Sequence, residues 1–219
     1  MPPESPWWDR QRHADRRPVL LARNRVEMGV RAYFANEDFV FVDVPGLQRS
    51  PGNETHLHAF GTDMIGEDGT SDRLYLHTSP EFSMKKLLAA GEERIVSLAH
   101  VWRNRERSAL HHPEFTMLEW YRAGAPVEEI VRDCLNLLGI AGDLVGSARL
   151  RYRERECDPA AEAERLSVAD AFVRHAGIDL FATMDASGET DAEALAAQMR
   201  AAGLDVPADY TWSYLFSRV

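Results

Sequence analysis

Val101-Trp102-Arg103-Asn104-Arg105-Glu106-Arg107-Ser108-Ala109-Leu110-His111-His112-Pro113-Glu114-Phe115-Thr116-Met117-Leu118-Glu119-Trp120-Tyr121 reads as a strand, a charged loop and a second strand. Side chains alternate across a strand, so Phe115, Met117, Glu119 and Tyr121 share one face, and Thr116, Leu118 and Trp120 share the other. A buried hairpin has little reason to place a carboxylate and a phenol in an otherwise packed row. An aromatic ring, a thioether, an acid and a phenol in line suit a ligand with a flat apolar part and a cationic part. Arg103 ends the preceding strand, which begins near Ile95, and can face the same cleft. Its planar fork matches a phosphate through two parallel hydrogen bonds, which a lysine point charge cannot do. Pattern alone leaves a second reading open: an exposed hairpin laced by ion pairs among Arg103, Arg105, Glu106 and Glu119.

Upstream, residues 18–36 carry Leu20, Leu21, Val26, Val30 and Tyr33 at helical intervals and stop at Asn36-Glu37-Asp38, which predicts an amphipathic helix. Phe39 to Val42 then reads as a strand. Residues 47–55, with Pro51, Gly52 and Asn53, predict a loop, followed by a short strand over 56–60. His56 and His58 would share a face of that strand; without a third ligand, structural polar contacts are favoured over a metal site. Thr78 or Ser79 can cap a helix that has Pro80 at its first position and Glu81 in its first turn, running to Leu88 and ending near Gly91.

Downstream, residues 127–138 form a helical pattern ended by Gly139. The stretch 142–163 is rich in Arg and Glu and predicts solvated surface with a strand around Leu150-Arg151-Tyr152. Ser167 with Asp170 marks a helix start for 168–176, an alanine-rich helix is predicted over 190–202, and residues 211–219 open another.

The chain has 219 residues, is 45% hydrophobic and can bury one substantial core, with nothing that demands a second domain. Its formal charge of -10 leans away from a protein that mainly grips nucleic acid. Cys134 and Cys157 provide neither a disulfide framework nor metal-ligand spacing, and a reducing cytoplasmic setting is expected. Residues 1–16 predict a short disordered leader; neither a signal peptide nor a membrane span is apparent.

The run Arg103-Asn104-Arg105-Glu106 with His111 to Tyr121 resembles the second signature motif of class II aminoacyl-tRNA synthetases of the lysyl type. Its wording Phe-Thr-Met-Leu-Glu-Trp-Tyr is nearer still to their truncated paralogues, the elongation factor P (R)-β-lysine ligases. Leu76-His77-Thr78-Ser79-Pro80-Glu81-Phe82-Ser83-Met84-Lys85-Lys86-Leu87-Leu88 resembles the family segment that contacts the amino acid. Arg23 to Phe34, followed by Phe39-Val40-Phe41-Val42-Asp43-Val44-Pro45, resembles the first motif. The likeness covers residues 17–138 well and 166–219 more loosely.

The resemblance implies an α+β fold, the class II synthetase catalytic domain, over 17–219: an antiparallel sheet flanked by helices, with the C-terminal part and third motif missing. It implies ATP and Mg2+, the metal's ligands lying in that missing part and none in this chain. Arg103 would be catalytic, bridging the α-phosphate and the attacking carboxylate. Arg103, Asn104, Arg105, His111 and Phe115 would bind ATP, with Phe115 stacked on adenine. Ser79, Pro80, Glu81, Glu119 and Tyr121 would hold lysine or β-lysine. The activated acyl group would pass to a lysine of elongation factor P in a cytoplasmic homodimer, tRNA being disfavoured because the first-motif helix starts too early for an anticodon-reading barrel. The alternatives are a lysyl-tRNA synthetase fragment and a non-catalytic dimerising remnant. Without the third motif, the chain alone is expected to be inactive. One departure stands out: the family has glutamate two residues after the motif-two arginine, where this chain has Arg105.

Overall fold

The computed structural model describes residues 6, 8–54 and 56–219. They divide into two compact units, Met1–Ala161 and Glu162–Val219, where the sequence predicted a single domain over 17–219. The polar stretch around residue 160, read as solvated surface, is where the division falls.

Helix α1 (Arg10–Asn36) opens the first unit. It starts earlier than Pro18, because Asp9 caps it: its carboxylate accepts the N–H groups of Gln11 and Arg12 at 3.0 and 3.1 Å. Residues 10–16, assigned to the leader on sequence, are therefore helical. Pro18 sits inside the helix instead of opening it. The leader's residues 1–5 and 7 lie outside the described residues, as does Thr55 of the predicted 47–55 loop.

The central sheet has the order β1–β5–β6, with β1 (Val40–Phe41), β5 (Arg94–Trp102) and β6 (Glu114–Arg122). It is mixed: β5 and β6 are antiparallel, while β1 runs parallel to β5. In the β5–β6 register Ile95 faces Tyr121, Ser97 faces Glu119 and Val101 faces Phe115. A second sheet contains β2 (Leu47–Gln48), β3 (Phe60–Ile65) and β4 (Ser71–Leu76) in the order β2–β4–β3. Phe60 pairs with Leu76 at the end of that ladder. Of the strand predicted over 56–60 only Phe60 joins a ladder: His56 lies in a turn, and His58 makes an isolated bridge to Asn104.

Helix α2 (Glu81–Ala89) follows β4, and α3 (Val127–Val145) follows β6. α3 runs through Gly139 and stops at Gly146, whose φ of 70° takes the left-handed conformation that glycine adopts without strain. Ile140 and Leu144, beyond the predicted stop, pack so closely on α1 that a Cβ at Gly29 would collide with Leu144 and press on Ile140. The hairpin β7 (Leu150–Tyr152) and β8 (Arg155–Cys157) completes the unit.

Between α1, α3 and the sheet lies an apolar cluster of Val30, Phe34, Phe39 and Val96, flanked by Leu118, Trp120 and Leu137. Phe34 meets Phe39 edge-on at 4.9 Å and Trp120 at 5.5 Å. Beside it Asp133 of α3 is fully buried. It accepts the Arg122 Nε–H at 2.8 Å and Nη2–H at 2.7 Å, the Trp120 indole N–H at 3.0 Å and the Tyr33 hydroxyl at 2.5 Å. Arg122 also donates to Glu37 at 2.9 Å and lies over the Phe39 ring at 4.7 Å.

The second unit holds α4 (Val168–Ala176), a 3-10 turn (Phe181–Thr183), α5 (Ala192–Ala201) and α6 (Trp212–Phe216). Ser167 caps α4 as predicted, its hydroxyl accepting the Asp170 N–H at 3.0 Å. Ile178, Leu180, Leu195, Ala196, Met199 and Leu215 form its core, and Phe216 stacks between Phe172 and Trp212.

Burial opposes the charge on Asp133, but the hydrogen bonds from Arg122, Tyr33 and Trp120 and the Arg122 charge outweigh it, holding its carboxyl below the ordinary value. A carboxyl depressed in the folded state stabilises the fold above its unfolded pKa of about 3.9, and that contribution fades as pH falls through the folded value. Asp133→Ala should cost about 3 to 5 kcal/mol in urea unfolding at pH 7, because it removes the buried partner of a buried guanidinium and leaves Arg122 with Glu37 alone among its described acidic partners. The cost should shrink when the same titration is run in acid below the unfolded pKa. An equal loss at both pH values would show that the ionised pair is not the source.

Candidate functional site

The residues facing away from α1 and α3 on β6 build the site. Leu118 and Trp120 pack toward the helices, Thr116 accepts Arg23 of α1 at 2.9 Å and Arg122 reaches α3. Phe115, Glu119 and Tyr121 therefore point to the opposite side, as the alternation predicts.

Arg103 lies just beyond β5. Its backbone N–H donates to the Pro113 carbonyl at 2.8 Å, closing the base of the 103–113 loop. Its guanidinium sits 5.3 Å from the centre of the Phe115 ring, and its Nε–H donates to the Thr78 carbonyl at 3.3 Å. One edge of the fork is thus fixed to backbone, and the cation lies against an aromatic face.

The segment after β4 brings in the second set of residues. His77 is buried and its Nε2 lies 2.7 Å from the His100 carbonyl, so this nitrogen carries the proton and ties the segment to β5. Thr78, also buried, donates its hydroxyl to the Pro51 carbonyl at 3.1 Å. The Ser79 hydroxyl accepts the Glu81 N–H at 3.1 Å and donates to Glu119 Oε2 at 2.7 Å, while the cap position predicted at Thr78 or Ser79 falls on Pro80, which has no side-chain cap bond. Pro80, one position before the helix, fixes φ at -73° between them.

Glu119 is held by neutral donors: Ser79 on one oxygen, and the Tyr121 hydroxyl on the other at 2.6 Å. Among the described residues no cation lies within 4 Å of it. Burial, followed by the hydrogen bond to Glu119 and the charges of Glu119 and Glu81, pushes the Tyr121 phenol well above its usual pKa. Tyr121 is therefore a donor at any physiological pH. Glu81 pairs with Lys85 one turn along α2, Nζ to Oε1 at 2.5 Å.

Arg103, Phe115, Thr78, Ser79, Pro80, Glu81, Glu119 and Tyr121 thus form one connected surface. Three further candidates stay in the loop. Asn104 donates its backbone N–H to the His58 carbonyl at 2.6 Å and accepts the Arg105 N–H on Oδ1 at 2.9 Å. Arg105 is exposed with φ of 68°, a conformation uncommon for a non-glycine residue. His111 is exposed and pairs with Ser108, Nδ1 to Oγ at 3.0 Å. Among the described residues no ring contact or side-chain hydrogen bond joins these three to Arg103 or Phe115.

Sequence reasoning passed over the Thr78 carbonyl, Lys85 and Asp133. Lys85 was visible as an i, i+4 partner of Glu81. The Thr78 contact uses backbone and leaves no compositional trace. Among the described residues no group of three His, Cys, Asp or Glu side chains could hold a metal ion.

The sequence matches the description tRNA synthetases class II (D, K and N) over residues 4–200. It is 34% identical over 73% of its length to an elongation factor P (R)-β-lysine ligase of Photobacterium profundum, of which it covers 45%. The corresponding protein of Vibrio vulnificus is 37% identical over 63% of the chain, with 41% of that protein covered. A lysine-tRNA ligase of Haemophilus influenzae is 34% identical over 76% of the chain and is covered over 34% of its length. The chain spans less than half the length of these relatives. With its site on an antiparallel strand pair and its sequence matched over most of its length, the chain belongs to the class II tRNA synthetases of the D, K and N group.

Proposed function

We propose that this chain carries the amino-acid and adenylate face of a ligase that activates a lysine-type amino acid with ATP and passes it to a lysine of elongation factor P. The observation that carries this reading is the face of β6 with Arg103 beside it: a guanidinium over Phe115 at one end and, at the other, Glu119, whose hydrogen-bond donors among the described residues are hydroxyls. Such an arrangement fits a molecule that is flat and anionic at one end and cationic at the other. The two ligase relatives act on elongation factor P by name, which favours that acceptor over tRNA. The similarity to lysine-tRNA ligase keeps aminoacyl transfer to tRNA as the second reading.

In this reading the substrate carboxylate attacks the α-phosphorus, the bond to the β,γ-phosphates breaks, and an acyl adenylate and pyrophosphate result. The Arg103 fork would neutralise charge developing on the α-phosphate, already aligned by Thr78 and Phe115, so little reorganisation is needed. Adenine would stack on Phe115, with Asn104, Arg105 and His111 closing over the nucleotide from the loop. Ser79, Pro80, Glu81, Glu119 and Tyr121 would hold the amino groups. Mg2+ would accompany the triphosphate. Attack by the ε-amine of the acceptor lysine on the acyl carbon would then release AMP. We further propose a homodimer through α1 and β1, where Val19, Met28 and Val40 are exposed, in the cytoplasm, where translation factors act.

Titration calorimetry with non-hydrolysable sulfamoyl analogues of lysyl and (R)-β-lysyl adenylate tests the assignment. Both should bind, the β-lysyl form more tightly. Arg103→Ala should weaken either by about 100-fold, the scale of one preorganised donor. Glu119→Gln should weaken free lysine by about 10-fold or more, by removing a charge-assisted contact. Failure of the wild-type chain to bind either analogue would overturn the reading. Preference for the α-lysyl form would move it to lysine-tRNA ligation.

A further inference from the structure

We infer that the cavity behind α2 is a second small-molecule site, separate from the amino-acid corner, that takes a monoanionic carboxylate with an unbranched apolar tail. The cavity has a volume of about 690 Å³, within the range of roughly 300 to 1,000 Å³ usual for ligand sites. Its floor is apolar, with Val44, Leu47 and Leu74 on one side and Phe82 and Leu87 of α2 on the other. α2 turns opposite faces to the two sites. Glu81 and Lys85, one turn apart, lie on the side of Glu119, whereas Ser83, Lys86 and Leu87 are rotated away from them by about half a turn and line the cavity. The walls are fixed before any ligand arrives. The Gln48 Nε2 amide donates to the Pro45 carbonyl at 2.5 Å and to the Ser83 hydroxyl at 3.1 Å, which latches the 43–50 segment to α2. The His77 N–H donates to the Gly46 carbonyl at 2.8 Å and ties the same segment to the end of β4.

The charges at the rim select the head group. Lys86 and Arg49 are exposed there, and Asp43 is the acid among the lining residues. Among the described residues Lys86 and Asp43 have no ion pair, and Arg49 reaches Asp72 at 3.9 Å with both side chains more than half exposed. So loose and solvated a contact leaves the guanidinium able to take another partner. Two cations against one acid give one net positive charge, which matches a single carboxylate better than a phosphate dianion or an amine. A guanidinium also holds a carboxylate through two parallel hydrogen bonds. The tail covers Leu47, which is 48% exposed, and each methylene buried on such a floor raises affinity about 3- to 4-fold.

Titration calorimetry of the full chain with octanoate tests the site, with acetate, decanoate and octylamine as comparisons. Octanoate should bind once per chain, acetate should not bind, and decanoate should bind about 10-fold more tightly than octanoate. Lys86→Glu and, separately, Arg49→Glu should each weaken octanoate by about 10-fold or more and strengthen octylamine, a reversal of charge preference that loss of packing cannot produce. Saturating lysyl sulfamoyl adenylate should leave octanoate binding in place, because its corner lies across α2. The inference falls if octanoate does not bind, or if the adenylate analogue displaces it. It falls equally if both charge reversals, in chains of unaltered thermal midpoint, leave octanoate unchanged or weaken it with no gain for octylamine. Failure of the analogue itself to bind would overturn the proposed function and leave the octanoate result to decide this inference alone.

Discussion

Asp133 is the point on which the first unit turns. A fully buried carboxylate is tolerated only when its lone pairs are satisfied, and here Tyr33, Trp120 and Arg122 satisfy them from two other elements. Those three residues join α1, β6 and α3 through one side chain. Because Trp120 and Arg122 alternate with Glu119 and Tyr121, fixing the first pair against α3 fixes the register of the second on the opposite face. A one-residue slip of β6 would bury Glu119 and expel Trp120, so the polar tie behind the sheet and the polar row in front of it enforce one another.

The same economy operates after β4. His77 bonds to the carbonyl of His100, and its own carbonyl takes the Trp102 N–H, so the end of β4 is held to the end of β5. Thr78 then presents a carbonyl to Arg103, and Ser79 presents a hydroxyl to Glu119. Consecutive residues thereby connect to both ends of the site, and Pro80 removes the backbone freedom that would loosen the corner.

Much of this was legible in the sequence wherever a local period or motif carries it. The alternation from Phe115 to Tyr121 put Phe115, Glu119 and Tyr121 on the face opposite Leu118 and Trp120, where the structure has them, and Ser167 with Asp170 marked α4. What escaped depended on tertiary context. Pro18 looked like a helix start, yet Asp9 provides a better cap, and a proline on an exposed turn is tolerated within a long helix. Gly139 looked like a stop, yet Ile140 and Leu144 have α1 to pack against, and that packing outweighs the propensity of one glycine. Asp133 read as an ordinary polar position of an amphipathic helix, since nothing local reveals that Arg122, Trp120 and Tyr33 converge on it. The three loop residues, Asn104, Arg105 and His111, were grouped with Arg103 by motif, whereas their contacts are made within the loop and with His58.

The phenol of Tyr121 also has a directional consequence. A carboxylate offers about four acceptor directions on its two oxygens, and at Glu119 the two hydroxyls take one on each. Since neither hydroxyl ionises in neutral or mildly alkaline solution, the vacant lone pairs keep the same bearing. The acceptor on β6 is therefore pre-aimed by neutral groups and not by a counter-charge.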